Sequence, residues 1–402
     1  MKTQLENIRE YYGSVLKSKN DLKTGACCTA DSMPEHLRPI LAEIHPEIQE
    51  RFYGCGSPIP AALEGKTVLD LGCGTGRDVF MLSKLVGSQG RVIGLDMTEE
   101  QLSLARKHTG WQMQKFGYQA VNVDFRSGYM EDLAAAGIAD NSIDLVVSNC
   151  VINLSPDKDR VFTEIFRVLK PGGELYFSDV FADRRIPEEL KNDPVLMGEC
   201  LSGALYKEDF RRLMAKHGVA DFRVVKTSPV PILDKDIELK IGMVNFSSLT
   251  IRAFKLALED RCEDYGQVAY YLGTIPEAPH AFMLDDHHLI KTGMPFLVCG
   301  NTAAMLSETR FAKHFRIVGD RAVLIEAARA CGMDPAIVAD LLAGEADKDS
   351  VREEIASAQH IGVTGVPFFI LDGKFALPGA QPPDVLKRAI GKALEKADEP
   401  RA

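Results

Sequence analysis

Apolar and polar residues are grouped along the first half of the chain in blocks whose lengths are typical of strands and helices. Apolar runs of strand length lie at Val68–Leu71, Arg91–Leu95, Val121–Ser127, Ile143–Asn149 and Glu174–Asp179. Helical periodicity marks the segments between them at Arg77–Val86, Thr98–His108 and Val161–Leu169. Strands that alternate with helices in this way predict an α/β fold with a parallel sheet and helices on both faces.

Local signals sharpen several of these boundaries. Thr98 followed by Gln101 is a capping-box start, which predicts that a helix begins just after Asp96. Lys170-Pro171-Gly172-Gly173 is a helix stop and predicts a turn before the fifth strand. A further helix is predicted around Tyr206–His217, and a further strand at Phe222–Lys226.

Changes of composition predict four parts. Residues 1–66 form a helical and loop region, residues 67–230 the core, residues 231–316 a smaller α+β domain after Pro229–Pro231, and residues 317–402 a C-terminal segment. The elements predicted in the smaller domain are strands within Val244–Phe254 and Leu284–Val298 and a helix around Thr302–Lys313. Those predicted in the last segment are helices at Arg321–Cys331, Pro335–Leu342 and Lys348–His360.

The overall composition is that of a soluble globular protein. Hydrophobic residues make up 46% of the 402 residues and charged residues 26%, and the formal net charge is −10. This acidic balance argues against nucleic acid or an anionic membrane as the main partner. The absence of a leader-like or membrane-length apolar run, and nine cysteines without a Cys-x-x-Cys pair, predict a reduced, cytoplasmic protein.

A glycine loop follows the first strand and is the clearest candidate binding element. Gly72, Gly74 and Gly76 are spaced G-x-G-x-G, whereas a dinucleotide fingerprint would place its third glycine at Arg77. The spacing therefore favours a smaller nucleoside-bearing ligand over a pyrophosphate. Asp96 ends the next strand, where a carboxylate can bind ribose hydroxyls. A tight turn that binds no ligand is the alternative.

The order of strand, glycine loop, helix, strand and acid resembles the Rossmann-like S-adenosylmethionine-dependent methyltransferases. Their loop reads Asp-x-Gly-x-Gly-x-Gly, which matches Asp70 to Gly76 here. The resemblance implies that S-adenosylmethionine is the methyl donor and that a small-molecule acceptor is the substrate.

Cysteines lie where a ligand of such a sheet would be expected, beyond the carboxyl ends of the strands. Cys150 directly follows the fourth strand and Cys200 lies past the fifth. Cys27 and Cys55 precede the sheet and could fold over its rim. Taken singly, each could equally be a small core residue, as buried free cysteines usually are.

The sequence around these cysteines closely resembles that of the arsenite methyltransferases over most of residues 8–316. The matching motifs are Asp21-Leu-Lys-Thr, Tyr53-Gly-Cys-Gly, Asp70-Leu-Gly, Gly76-Arg-Asp, Ser148-Asn-Cys-Val-Ile-Asn-Leu, Gly198-Glu-Cys-Leu-Ser-Gly-Ala-Leu-Tyr and Arg310-Phe-Ala. The resemblance implies that Cys27, Cys55, Cys150 and Cys200 are the functional cysteines, with Cys55, Cys150 and Cys200 as ligands of trivalent arsenic. Cys28 and Cys73 have no such match, and we interpret Cys262, Cys299 and Cys331 as structural.

The same resemblance assigns the methyl-donor site. The contacts that it implies are Tyr53, Gly72, Gly74, Met97, Gln101, Met130 and Glu131. Asp70, Gly76, Asp96 and Asn149, on the loop and at strand ends, complete the predicted set.

The chemistry suits thiolates. Trivalent arsenic is soft and thiophilic, so sulfur is its natural ligand. Its lone pair can attack the methyl group of S-adenosylmethionine, and no general base is required because no proton is removed. The transfer formally oxidises arsenic, and a cysteine pair could reduce it again if an external thiol reductant, glutathione or a thioredoxin-type protein, resets the pair. The substrate implied is arsenite or its thiol conjugates, which makes the predicted role arsenic detoxification.

Three alternatives remain beside this hypothesis. A methyltransferase for another small acceptor would need no cysteine cluster, and a thiol protein that only sequesters arsenic would need no methyl-donor loop. A zinc site would require paired ligand spacings, which the sequence lacks. His287-His288 could suggest a metal, but adjacent side chains diverge, so we interpret them as surface histidines following a turn at Asp285-Asp286.

Residues from about 318 to 396 resemble the C-terminal half of DsbA-like thioredoxin-fold oxidoreductases. The matching motifs are Gly362-Val-Thr-Gly-Val-Pro-Phe-Phe and Gly379-Ala-Gln-Pro-Pro, and the resemblance implies a cis peptide bond before Pro367. The half that carries Cys-x-x-Cys is missing. The segment is therefore either a partial thioredoxin-like module that couples the enzyme to a reductant or a retained structural appendage.

Overall fold

The computed structural model describes residues 33–52, 58–191, 193, 196–197, 200–232, 234–319, 324–325, 328–329, 331–344, 348–360, 368–371, 375–378 and 383–397. Two compact units can be distinguished, residues 1–320 and residues 321–402. None of the described helices combines the length and the apolarity that a membrane span requires.

A large mixed sheet is the framework of the first unit. Its strands are β1 (Thr67–Leu71), β2 (Arg91–Asp96), β3 (Val123–Ser127), β4 (Ile143–Asn149), β5 (Leu169–Ala182), β6 (Leu205–Tyr206), β7 (Phe222–Val230) and β8 (Phe246–Phe254). They are ordered β3-β2-β1-β4-β5-β8-β7, and β6 pairs with β5. The pairs among β1 to β6 are parallel, whereas β8 is antiparallel to β5 and β7.

Helices cover both faces of this sheet, as predicted. They are α1 (Arg38–Ala42), α2 (Pro46–Glu50), α3 (Arg77–Val86), α4 (Glu99–Phe116), α5 (Lys158–Val168), α6 (Lys207–Lys216) and α7 (Lys235–Ile241). Val68 of β1 belongs to an apolar cluster with Phe80 of α3, whereas the next residue, Leu69, belongs to a second cluster with Phe162 of α5. Successive strand residues point to opposite faces, so β1 is buried on both sides.

The predicted elements of the core are confirmed, with some changes of extent. Helix α4 runs two turns beyond the predicted end and stops at Gly117, which has a φ of 76°. The turn predicted at 170–173 is wrong, because those residues form the irregular beginning of β5, where the register against β4 shifts. Thr98 is the N-cap of α4, but its side chain makes no capping hydrogen bond.

The placement of the last strand of the sheet corrects the sequence interpretation. Val244–Phe254 was predicted to belong to the smaller domain, but β8 lies between β5 and β7 in the main sheet. Glu174 of β5 is fully buried and ion-paired with Arg252 of β8 and with Arg310. Arg310 also donates to the carbonyl of Ala61, so one buried carboxylate joins segments from distant parts of the chain.

Short strands form the rest of the first unit. They are β9 (Gln267–Tyr271), β10 (Ala281–Met283), β11 (Leu289–Lys291), β12 (Pro295–Val298) and β13 (Phe315–Val318), together with helix α8 (Gly300–Ser307). An antiparallel sheet is ordered β12-β9-β13, and β10 pairs with β11. The strands predicted within 284–298 are present as β11 and β12, which a turn at Asp285–His288 and a second turn at Gly293 shorten and divide. Helix α8 is also shorter than predicted.

The second unit contains helices α9 (Pro335–Ala343), α10 (Lys348–His360) and α11 (Pro383–Ala397), with strands β14 (Phe368–Leu371) and β15 (Phe375–Pro378). The two strands form an antiparallel hairpin. The helices predicted at 335–342 and 348–360 are confirmed. The helix predicted at 321–331 lies partly outside the described residues. Pro367, before which a cis peptide bond was predicted, lies outside them.

Candidate active site

A cleft opens at the carboxyl ends of the parallel strands. It encloses about 1060 Å³, part of it open to solvent. Most of the residues predicted to bind a methyl donor line it: Asp70, Gly72, Gly74, Asp96, Met97, Gln101, Met130, Glu131 and Asn149. Cys150 lines the same cleft. The position of these residues follows from the fold, because parallel strands bring their carboxyl ends to one edge of the sheet.

The glycine loop after β1 fits against the loop after β4 only because it lacks side chains. Gly72 has a φ of 69°, and a Cβ added there would lie 2.4 Å from Cγ1 of Val151. Gly76, with a φ of 85°, begins α3 and packs on the Phe125 ring, and it is not among the residues that line the cleft. Gly76 therefore shapes the loop, whereas Gly72 and Gly74 border the ligand space.

Three acidic side chains, Asp70, Asp78 and Asp96, border the cleft. Burial raises the pKa of Asp70 well above its usual range, and the neighbouring Asp78 and Asp96 raise it further. Burial also raises the pKa of Asp96, against the opposing effect of N–H groups from Thr98 and Gly74. A cationic ligand would stabilise the charged form of these acids. S-adenosylmethionine, with its sulfonium and ammonium groups, is such a ligand.

Asp78 is a cleft residue that the sequence interpretation missed. One carboxylate oxygen accepts a hydrogen bond from Nε of Arg77 at 2.8 Å, and the other accepts from Nδ2 of Asn149 at 3.1 Å. The Arg77 guanidinium also stacks on Phe52, 3.0 Å from the ring centroid. The motif Gly76-Arg-Asp contained the signal, but only the fold shows that its acid joins the end of β4.

The loop after β3 is tied to the loop after β4. Ser155 donates to the Glu131 carboxylate at 2.5 Å, and Arg160 donates to the Glu131 carbonyl at 2.8 Å. These hydrogen bonds hold Glu131, which lines the cleft beside Met130. Met97 and Gln101, which follow β2 in the chain, line the same cleft.

Two predicted functional cysteines meet at the rim of this cleft. The Cys200 thiol donates a hydrogen bond to the carbonyl of Cys150, 3.3 Å away. Both residues have left-handed backbones, with φ of 56° at Cys150 and 61° at Cys200, and both are buried. Non-glycine residues in this region cost roughly 1–3 kcal/mol each and persist where surrounding contacts fix them. Such strain is often found at functional sites.

Cys150 is in a disulfide. The other described cysteines are not its partners, because Cys73, Cys200, Cys262, Cys299 and Cys331 are not disulfide-bonded. In this oxidised form Cys150 is no thiolate, so two electrons from a thiol reductant must release it before it can bind a soft metalloid. Cys73 also borders the cleft, but burial raises the pKa of its thiol well above the usual range, which makes it unreactive.

A buried polar network fixes the segment between Cys150 and α5. The Asp179 carboxylate accepts from the backbone N–H of Asn153 at 3.0 Å and from its side chain at 2.7 Å. Burial raises the pKa of Asp179 to about 7 against these hydrogen bonds. Lys158 donates to the carbonyls of Asn153 and Ser155. Burial lowers the pKa of Lys158, while the charges of Asp179 and Cys200 act in the opposite direction.

Lys158 therefore lies close enough to Cys200 for their charges to interact. No motif in the sequence indicated that Lys158 lies near Cys200. Cys27, Cys55 and Tyr53 lie outside the described residues, as does Cys28, and their predicted roles remain predictions.

Each histidine of the pair contacts a different carboxylate. His288 contacts Asp285 at 2.7 Å, and His287 contacts Asp286 at 2.5 Å. Asp285 also accepts backbone hydrogen bonds from His287 and His288, which confirms the predicted turn. His287 is exposed as predicted, but the side chain of His288 is only 20% exposed.

Comparisons with known proteins agree with this architecture. A family model described as a methyltransferase domain matches residues 62–218, and one described as a DSBA-like thioredoxin domain matches residues 308–391. The arsenite methyltransferase of Aquipseudomonas alcaligenes is 56% identical over 316 residues, covering 78% of this chain and 91% of that protein. The arsenite methyltransferase of Homo sapiens is 45% identical over 316 residues, covering 78% and 83%.

A solved structure shows the same fold. The crystal structure of an arsenic(III) S-adenosylmethionine methyltransferase from Chlamydomonas reinhardtii is 52% identical to this chain. The match covers 72% of this chain and 97% of that one, with a TM-score of 0.70.

Proposed function

The chain belongs to the arsenite methyltransferase family, and from this membership we propose that it transfers methyl groups from S-adenosylmethionine to trivalent arsenic held by cysteine thiolates at the cleft rim. The observation that carries the proposal is the position of Cys150. It lines the cleft that the glycine loop borders, and its carbonyl accepts a hydrogen bond from the Cys200 thiol. The two thiol residues therefore meet beside the cleft that the glycine loop borders.

The cleft residues fit the methyl donor by shape and charge. Gly72 and Gly74 leave the loop without side chains, Asp70 and Asp96 offer carboxyl groups whose charged form a cationic ligand would stabilise, and Met130 and Glu131 line the same cleft. S-adenosylmethionine supplies an electrophilic methyl group when it is bound. We propose that Asp96 binds the ribose hydroxyls, because its oxygens lie at the end of β2 and are held by the N–H groups of Gly74 and Thr98.

We propose that the thiolates hold and orient the arsenic. Cys55, Cys150 and Cys200 together would supply three sulfurs, the soft ligand set that trivalent arsenic prefers. Three-coordinate arsenic keeps a lone pair, which attacks the methyl group without loss of a proton. The Asp179–Asn153 network fixes the segment after Cys150. Catalysis then rests on positioning, as expected for a reaction between two oriented groups.

Regeneration of the cysteine thiolates after methyl transfer requires a reductant. Methyl transfer raises arsenic formally from the trivalent to the pentavalent state, and two cysteine thiolates that return it to the trivalent state become a disulfide. The disulfide at Cys150 supports a role for this residue in such a step. We propose that glutathione or a thioredoxin-type protein supplies the two electrons that restore the thiolates.

The test is to incubate the purified full chain with arsenite, S-adenosylmethionine and glutathione, and to separate the arsenic species by chromatography with elemental detection. Methylated arsenicals should accumulate only when all three are present. A chain that binds arsenite but forms no methylated species with glutathione or with a thioredoxin system would be a sequestering protein, which would contradict the proposal.

A further inference from the structure

Two cysteines outside the cleft are brought side by side on the small antiparallel sheet. Cys262 lies in the segment before β9, and Cys299 is the N-cap of α8. The amide of Gly300 donates to the carbonyl of Glu263 at 2.9 Å, which places the neighbours of both cysteines in direct contact. Asn301, only 2% exposed, reinforces this arrangement by hydrogen bonds to the backbone of Glu259.

The packing around this junction is close. A Cβ added to Gly300 would lie 2.8 Å from the Tyr265 ring. The Tyr265 hydroxyl in turn donates to the Glu259 carboxylate at 2.6 Å. The backbone on either side of Cys262 is thus fixed to the beginning of α8, so the proximity of the two thiols is a feature of the fold. Of these two cysteines, which the sequence analysis interpreted as structural, Cys262 is exposed and Cys299 is half-buried.

The surroundings of Cys299 favour a thiolate. Its sulfur lies 3.4 Å from the backbone N–H of Thr302 and 3.2 Å from the Thr302 hydroxyl. Arg223, buried and paired with Asp221 and Asp285, directs Nη2 at the same sulfur from 3.9 Å. Burial would raise the pKa of Cys299, but hydrogen bonds from Thr302, Cys262 and Arg223 outweigh it and lower the pKa. Burial and the hydrogen bond with Cys299 raise the pKa of Cys262.

We propose that Cys262 and Cys299 form a second arsenical-binding site, specific for singly methylated trivalent arsenic. The inference rests on the proposed function, because methylation of arsenite is the source of this ligand. Monomethylarsonous acid, CH3As(OH)2, has two exchangeable hydroxyl groups, which matches a site of two thiols. Two As–O bonds break, two As–S bonds form and two water molecules leave, so arsenic stays trivalent. The soft sulfur pair suits the soft metalloid.

The exposure of Cys262 and the fixed positions of the two thiols support this assignment. The exposed Cys262 allows the arsenical to enter, and the Cys299 thiolate is the nucleophile for the first As–S bond. The second bond closes a ring without rearrangement because the backbone already holds the thiols together. Inorganic arsenite would keep one hydroxyl at a two-sulfur site, so the singly methylated species is the better match. The site would retain this species on the protein.

The experiment measures how many monomethylarsonous acid molecules bind per reduced full-length chain, by mass spectrometry and without S-adenosylmethionine. The background variant is Cys200→Ser, which weakens the cleft site. Cys262→Ser and Cys299→Ser, each added to that background, should lower the bound number by one per chain. Serine is a good N-cap residue, so Cys299→Ser should preserve α8.

The matched control is Cys331→Ser, which removes another exposed, free cysteine. It should leave the bound number unchanged. An unchanged number in Cys299→Ser would overturn the inference, and so would an equal loss in Cys331→Ser, which would mean that any exposed thiol binds. Because the methyl donor is omitted, this binding count does not depend on methyl transfer. Failure of the proposed function would instead appear in the methylation assay, as a wild-type chain that binds arsenicals but methylates none.

Discussion

The thiol of Cys200 donates a hydrogen bond to the backbone carbonyl of Cys150 across 3.3 Å. This bond joins the segment after β5 to the residue that directly follows β4, at the rim of the cleft. Both backbones are left-handed, so the contact is held by the surrounding fold and not by local preference. The predictions below test the parts of the molecule that create this arrangement.

The first prediction concerns Asp96. Asp96→Ala removes the carboxylate that we propose binds ribose, and charge-assisted hydrogen bonds contribute roughly 1.5–3 kcal/mol. The affinity for S-adenosylmethionine should fall about ten- to hundredfold, as measured by calorimetry. The control is Asp144→Ala, which removes another strand carboxylate that accepts a backbone N–H, that of Thr67, outside the cleft. If Asp96→Ala left the affinity for S-adenosylmethionine unchanged, Asp96 would only fix the loop and the start of α4 and would not bind ribose.

The second prediction concerns Gly72. Alanine at a positive φ costs roughly 1–2 kcal/mol of unfolding free energy. Gly65→Ala should show that cost alone, because Gly65 also has a positive φ but no atom lies within 4 Å of its added Cβ. Gly72→Ala should cost more and weaken S-adenosylmethionine binding, because its Cβ would overlap Val151. Denaturant titration should show partial recovery when Val151→Ala is added. Equal costs at both glycines would contradict the close loop packing.

The third prediction concerns Asp179, whose pKa burial raises to about 7. An unfolded carboxyl titrates near 3.9, so the folded state binds the proton more tightly. The stabilisation that this proton gives is complete below about pH 4 and is lost as pH rises through about 7. The Asp179→Asn variant cannot lose a proton at this position. The difference in unfolding free energy between the wild-type chain and this variant should therefore shrink by about 2 kcal/mol from pH 5 to pH 8. A deficit independent of pH would show that Asp179 stays ionised throughout.

The sequence predicted the local elements of the core well and their long-range pairing less well. Helix α3 and strand β4 have the predicted bounds, because periodicity and glycine signals act over a few residues. Strand β8 was assigned to the wrong part of the chain, since its partners in β5 and β7 are distant in sequence. Pro229 suggested a boundary, but it lies near the end of β7 at the edge of the sheet, a position that tolerates proline.

The same distinction applies to the sites. Residues at the end of a strand or directly after it, such as Asp96 and Cys150, could be assigned from the rule that ligands lie beyond strand ends. Asp78 could not, because its role depends on the hydrogen bond with Asn149. The proximity of Cys262 and Cys299 depends on hydrogen bonds between two separate loops. No spacing in the sequence reports such a contact.

The fourth prediction concerns the second unit. A chain that ends at residue 320 keeps β13, which pairs with β9, whereas an end at Arg316 would cut that strand. We expect the shortened chain to retain methylation with glutathione, because the cleft residues all precede the boundary. The rate with a thioredoxin-type reductant, compared with that of the full chain, then tests whether the unit couples to a protein reductant. Loss of methylation with every reductant would show that catalysis needs the second unit.

The most direct test of the account is the rate of arsenic methylation by Cys150→Ser and Cys200→Ser, measured by arsenic speciation with saturating S-adenosylmethionine and glutathione. Each variant should lose methylation of both arsenite and monomethylarsonous acid, because serine offers a hard oxygen in place of a soft sulfur. Cys331→Ser should keep the wild-type rate, and both catalytic variants should still bind S-adenosylmethionine. Near-normal turnover by either variant would contradict the assignment of arsenic to the thiolates at the cleft rim.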